Sequence, residues 1–186
     1  MRQTIFDELE IMTSHVLREV EGESPQQRAD RVCDEVLDML IDLYLLGWAE
    51  VSEDTQPSAD EMRASVYEPI AGQTWEQRIR DYVLHDGSLG EIARVIDTDS
   101  HRVLNQGIYD SADKLQREQG VRLNKTWVTM KDNRVRDSHD YLDGVTIPLH
   151  DRFYTYTGAS ALHPGGFGQA DEDVNCRCVL QITPME

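Results

Sequence analysis

The sequence predicts an α+β fold, with an N-terminal helical hairpin and one long helix followed by a small, mostly antiparallel sheet. Three observations lead there. Apolar residues recur at helical spacing up to Gly120. Beyond it the period changes to short β-prone runs punctuated by Gly and Pro. A length of 186 residues suits one domain, or one domain with a helical appendage.

Taken in order, residues 3–21 form an amphipathic pattern, with Ile5, Leu9, Met12, Val16 and Val20 on one face and Gly22 as the stop. Ser24-Pro25 supplies an N-cap followed by proline at the first helical position. The next helix is expected to run to about Leu46, on a stripe of Val32, Cys33, Val36, Leu40, Ile41 and Tyr44, with Gly47 ending it. Asp34, Asp38 and Asp42 fall on its opposite face. These two helices make the hairpin. Residues 51–72 contain Pro57 and Pro69 and suggest a linker with a short helix around 59–67. Residues 1–72 are thus expected to be an acidic helical extension and linker, ahead of a domain at 73–186.

Thr74-x-x-Gln77 and Ser88-x-x-Glu91 fit the capping box, so helices should begin near Trp75 and Leu89. The second should reach Gly120, with a kink or break at Asp97-Thr98-Asp99-Ser100, four poor helix formers. Residues 125–130 are β-prone. Asp132 should cap a short helix from Asn133 to about Leu142, closed by Gly144. Residues 145–149, 153–157 and 177–182 suggest short strands, with a loop rich in small residues at 158–168.

Composition excludes several classes. No apolar run approaches the roughly 20 residues that span a bilayer, so no membrane role is expected. The net charge of -17 opposes a broad phosphate-binding surface. The acidity is concentrated in residues 1–60, which hold 15 acidic and 4 basic residues. The plainer reading of this acidity is a solvated helix face; the alternative is a docking surface for a basic partner groove. Cys33 fits a helix core. Cys176 and Cys178 are poorly placed for a mutual disulfide, because a Cys-x-Cys ring is strained.

The densest chemistry lies between Lys125 and Cys178. Asp132-x-Arg134-x-Arg136-Asp137-x-His139 is followed by Asn175-Cys176-Arg177-Cys178. Three readings stand side by side. The first is a structural polar network of Trp127, Asp132, Arg134, Arg136, His139, Asn175 and Arg177, with Arg177 reaching Asp132 or Asp137. It carries the expectation that the network is buried, so that Arg177→Ala destabilises more than any surface arginine change. The second is a zinc site at His139, Cys176 and Cys178, soft and borderline ligands, with a carboxylate or His163 as the fourth. The third is catalysis, with His139 and Asp132 or Asp137 as a general base and Arg134 or Arg136 steadying an anion.

The order Trp127, Asp132, Arg134, Arg136, His139, Gly144, Phe153, Pro164-Gly165, Asn175-Cys176-Arg177-Cys178 resembles the phage Mu protein F-type minor head, or head morphogenesis, proteins. Thr98-Asp99-Ser100-His101-Arg102 and Asn105 resemble that family's upstream helix, with Asp99 where Glu is usual. The resemblance covers roughly residues 74–182. It implies a minor head protein of the virion, present in the host cytoplasm during assembly. The implied place is the portal vertex or the capsid interior, and the implied role is in head assembly and DNA packaging or delivery. The implied partners are the portal protein or other head proteins, with contact to packaged DNA. The alternative from another class is a metal-dependent hydrolase or nuclease of phage origin.

Overall fold

The computed structural model describes residue 9, residues 11–18 and residues 21–185. Residues 11–16 are helical, and Leu9 and Val16 are buried. Residues 17 and 18 have already left the helix, short of the expected end at 21, and residues 3–8, 10, 19 and 20, including Ile5 and Val20, lie outside the described residues. The elements that follow are α1 (Pro25–Ala49), α2 (Ala59–Val66), α3 (Trp75–Leu84), α4 (Leu89–Gln119), β1 (Leu123–Val128), α5 (Asp137–Asp140), β2 (Thr146–Pro148), β3 (Phe153–Tyr154), β4 (Ser160–Ala161), α6 (Ala170–Asp173) and β5 (Val179–Pro184). β2, β1 and β5 form one antiparallel sheet in that order, and β3 pairs β4 in another. The α+β expectation holds.

Four helices begin the same way. Ser24, Ser58, Thr74 and Ser88 each accept the N3 backbone N–H, while Gln27, Glu61, Gln77 or Glu91 reaches back to the cap. Such a box satisfies two otherwise orphaned donors. Gly120 ends α4 in the left-handed region, at φ 68°.

α1 corrects one expectation. It continues through Gly47 to Ala49, and Gly47 is a contact point, not a stop. A Cβ at Gly47 would come 2.1 Å from the Leu104 carbonyl oxygen, and one at Gly107 would come 2.2 Å from that of Tyr44. The glycines face each other across α1 and α4 and let the two backbones touch. Val36, Leu40, Tyr44, Ile96 and Val103 fill the seam, each fully buried or nearly so. The apolar core therefore runs across the boundary expected at residue 72. Asp34, Asp38 and Asp42 point to solvent, as their spacing required.

α4 corrects a second. It does not break at 97–100. Thr98, Asp99 and Ser100 are buried on the face that meets the rest of the chain. Asp99 is held at 2.6 Å by Arg78 and at 3.2 Å by Arg102. Arg102 also donates to the Ser65 and Val66 carbonyls at the end of α2, both at 2.8 Å. Weak helix formers survive mid-helix here because tertiary bonds outweigh propensity. The same bonds fasten residues 59–66, the short helix expected around 59–67, against α4.

The third correction is the segment after β1. The expected helix from Asn133 shrinks to Asp137–Asp140. Asp132 does not cap it. Its Oδ1 accepts the Arg134 backbone N–H at 3.0 Å, an Asx turn that carries the chain sideways after Lys131, which has φ 55°. β4 and α6 were not expected at all.

Candidate functional site

The site is built where β5 crosses α4. Asn105 donates to the Cys178 carbonyl at 3.0 Å and accepts the Leu180 N–H at 2.8 Å. Thr98 accepts the Asn175 backbone N–H at 3.2 Å. Asn175 sits at φ 58°, a region asparagine tolerates better than most residues. These bonds fix both ends of Asn175-Cys176-Arg177-Cys178 on the long helix, and both thiols are turned inward.

They meet His139. Its Nδ1 lies 3.5 Å from Cys176 Sγ and 3.6 Å from Cys178 Sγ, and all three residues are buried. Trp127 from β1 meets the imidazole edge-on at 5.2 Å, and Phe167 stacks on it at 5.5 Å. On the other side of the ring, Nε2 is 3.1 Å from Glu172 Oε2, close enough for an ion pair though outside hydrogen-bond alignment. Glu172 is held by the Ser138 hydroxyl at 2.9 Å and the Thr157 hydroxyl at 3.1 Å. Cys178 has its pKa lowered, first by a hydrogen bond from Cys176 and further by the cationic Arg136 and Arg177. Cys176, which gives that bond, is raised well above the ordinary thiol value.

The two arginines act differently. Arg136 donates to the backbone carbonyls of Glu172 and Val174, so a cation closes the C-terminal end of α6. Arg177 leaves the cluster, and its Nη2 meets Asp132 at 2.8 and 2.9 Å. That pair is at the surface, with the Asp132 side chain 38% exposed. The arginine holds the Asp132 carboxyl below its ordinary value. The expectation of a buried Arg177 network is corrected accordingly. Arg134 and Asp137 are exposed. His163 is not among the gathered donors: its ring meets Gln106 Oε1 at 2.6 Å and the Pro164 carbonyl at 3.0 Å. The carboxylate beside His139 is Glu172, not Asp132 or Asp137, so the proposed His–Asp base pair does not form.

Among the described residues, His139, Cys176 and Cys178 are the one group whose donor atoms converge as metal ligands do, all within 4.8 Å of one another. Glu172 was missed in the sequence, because Asp171-Glu172-Asp173 looks like a solvated acidic run. Asp173 is also buried, accepting the Phe167 and Gln169 backbone N–H groups. Burial is the largest influence on its carboxyl and raises its pKa.

The motif order and its convergence agree with the comparisons. The family described as Phage Mu protein F like protein matches residues 59–181. The chain belongs to the phage Mu protein F-like family. Proteins similar to it include the Minor head protein GP7 of Bacillus phage SPP1, 33% identical over 93 residues, half of this chain and 30% of that protein. Another is the NAD(+)--arginine ADP-ribosyltransferase EFV of Enterococcus faecalis (strain ATCC 700802 / V583). It is 35% identical over 96 residues, half of this chain and 19% of that protein. The match thus spans less than a third of either relative. No solved structure matches the chain. The Mu F-like match begins at α2 and includes every residue of the cluster.

Proposed function

We propose that the chain is a phage minor head protein that enters the virion during head assembly. The observation that carries this is the Mu F-like match over residues 59–181, joined by the similarity to a protein named minor head protein GP7. Its partners on this reading are the portal protein or other head proteins. Its place is the portal vertex or the capsid interior, where it acts in assembly and in DNA packaging or delivery.

Charge supports protein partners over DNA. A net of -17 repels phosphates over most of the surface, and contact with packaged DNA falls to local arginines. The Asp34, Asp38 and Asp42 face of α1 is solvent-exposed and suits a basic groove, where opposite charge speeds and orients encounter. No helix among the described residues is long and apolar enough to cross a membrane.

The experiment is to assemble heads with and without the portal protein and quantify this chain in each. A portal-vertex role predicts loss from portal-free heads. Equal amounts in both would move the protein to the capsid interior.

A further inference from the structure

We propose that His139, Cys176 and Cys178 form a zinc site whose fourth position is open to water. The proposal stands on the site's geometry and does not depend on the role in head assembly.

The first argument is the spacing of the donors. A tetrahedral zinc with bonds of about 2.3 Å to sulfur and 2.0–2.1 Å to nitrogen puts each sulfur roughly 3.6 Å from the nitrogen. Nδ1 of His139 lies 3.5 and 3.6 Å from the two Sγ atoms. A neutral imidazole nitrogen offers one lone pair to one thiol, and as a donor it has one proton to give. Two sulfurs at matching distances from one nitrogen are what coordination by a shared ion requires.

The second argument is what stands behind the ring. A zinc-bound histidine turns its other nitrogen toward a carboxylate or carbonyl, which sets its tautomer. Glu172 occupies that position at 3.1 Å from Nε2, and is itself fixed by Ser138 and Thr157. A buried carboxylate supported by two hydroxyls is an expensive feature for a core that only needs packing. It suits a ligand that must stay deprotonated at Nδ1.

The third argument is preorganisation and charge. Asn105 and Thr98 pin the Cys-x-Cys segment to α4 independently of any ion. Two thiolates would neutralise Zn²⁺, and the Arg136 and Arg177 side chains border the same cavity as the donors. Beside the donors is a cavity of about 10 Å³, bordered by Met130 and Arg134. That is close to the space of one water, which completes four-coordination.

The test uses the full-length protein, purified under reducing conditions from zinc-supplemented cells. Elemental analysis should find about one zinc per chain, bound by the three residues named here. Removing it and titrating Co²⁺ should produce the visible and near-ultraviolet bands of tetrahedral thiolate coordination. Cys178→Ser should lose those bands. Since that variant can also misfold, Glu172→Gln is the companion. It keeps all three ligands and should weaken zinc affinity about 10–100-fold. Wild-type protein with negligible zinc, no thiolate–cobalt bands, and thiols that react with a disulfide reagent equally fast with and without Zn²⁺ would overturn the proposal.

Discussion

Arg102 and His139 are both almost entirely buried, yet their surroundings differ in kind. Arg102 directs its donors to Asp99, to the Ser65 carbonyl and to the Val66 carbonyl. Asp99 is in turn covered by Arg78. That network is closed, with opposite charges paired inside it. It ties α2, α3 and α4 into one helical body. The His139 cluster sits on the same helix, α4, through Asn105 and Thr98, but it brings two thiols to one nitrogen and leaves a small space beside them. Full hydrogen-bond satisfaction marks a fastening. Two thiols and an imidazole nitrogen gathered at ligand spacing mark the proposed zinc site.

Breaking the closed network should have the largest effect. Asp99→Ala removes the buried carboxylate that pairs with both Arg78 and Arg102, and a cost of about 3–5 kcal/mol is expected. Urea melts of the purified variant should read it. A loss near that of an exposed substitution would mean that the network is not the fastening described. Gly107→Ala comes next. Alanine normally improves a helix by roughly 0.5–1 kcal/mol over glycine. Here its Cβ would meet the Tyr44 carbonyl oxygen, so α1 and α4 must part and a net loss of about 1–3 kcal/mol is expected. A gain in stability would refute the backbone contact.

Lys125 sharpens the comparison by pH. It is fully buried on β1, donates to the Leu162 carbonyl at 2.7 Å and lies over the Tyr109 and Phe153 rings. Burial pushes its ammonium down to about 7 from 10.5. Between those values the unfolded chain holds a proton that the folded chain has released, so this group makes stability rise with pH across that window. Lys125→Met should flatten the rise between pH 7 and pH 9 relative to wild type. An unchanged slope would mean that the amine is solvated when folded. The smallest effect is expected for Arg177→Ala. Its partner Asp132 is exposed, and an exposed pair is screened and adds little. Thermal melts should show a shift no larger than that of Arg117→Ala, whose pair with Asp113 is also at the surface.

The sequence made the helices legible because two capping boxes, a Ser-Pro start and a clean apolar period coincided; the boxes at Ser24 and Ser58 emerged only in the structure. It misjudged Gly47 because a glycine near a helix end looks like a stop whether or not another backbone rests on it. It misjudged residues 97–100 for the opposite reason. Propensity speaks against a helix there, and only the fold reveals Arg78 and Arg102 waiting for Asp99. Of the cluster, His139, Cys176 and Cys178 were visible as chemistry. Glu172 was not, because its acidic run carries no period and its partner lies 33 residues upstream. Arg177 and Asp132 were visible as a pair, but the exposure of Asp132 was not, since a motif shows which residues matter and not how deep they lie.

A head component must be present in finished particles. The direct measurement is quantitative mass spectrometry of purified particles from the phage or prophage that encodes it. A constant number of copies per head, retained through density-gradient purification, is the predicted result. Absence from intact heads, with the protein recovered only from the soluble lysate, would contradict it.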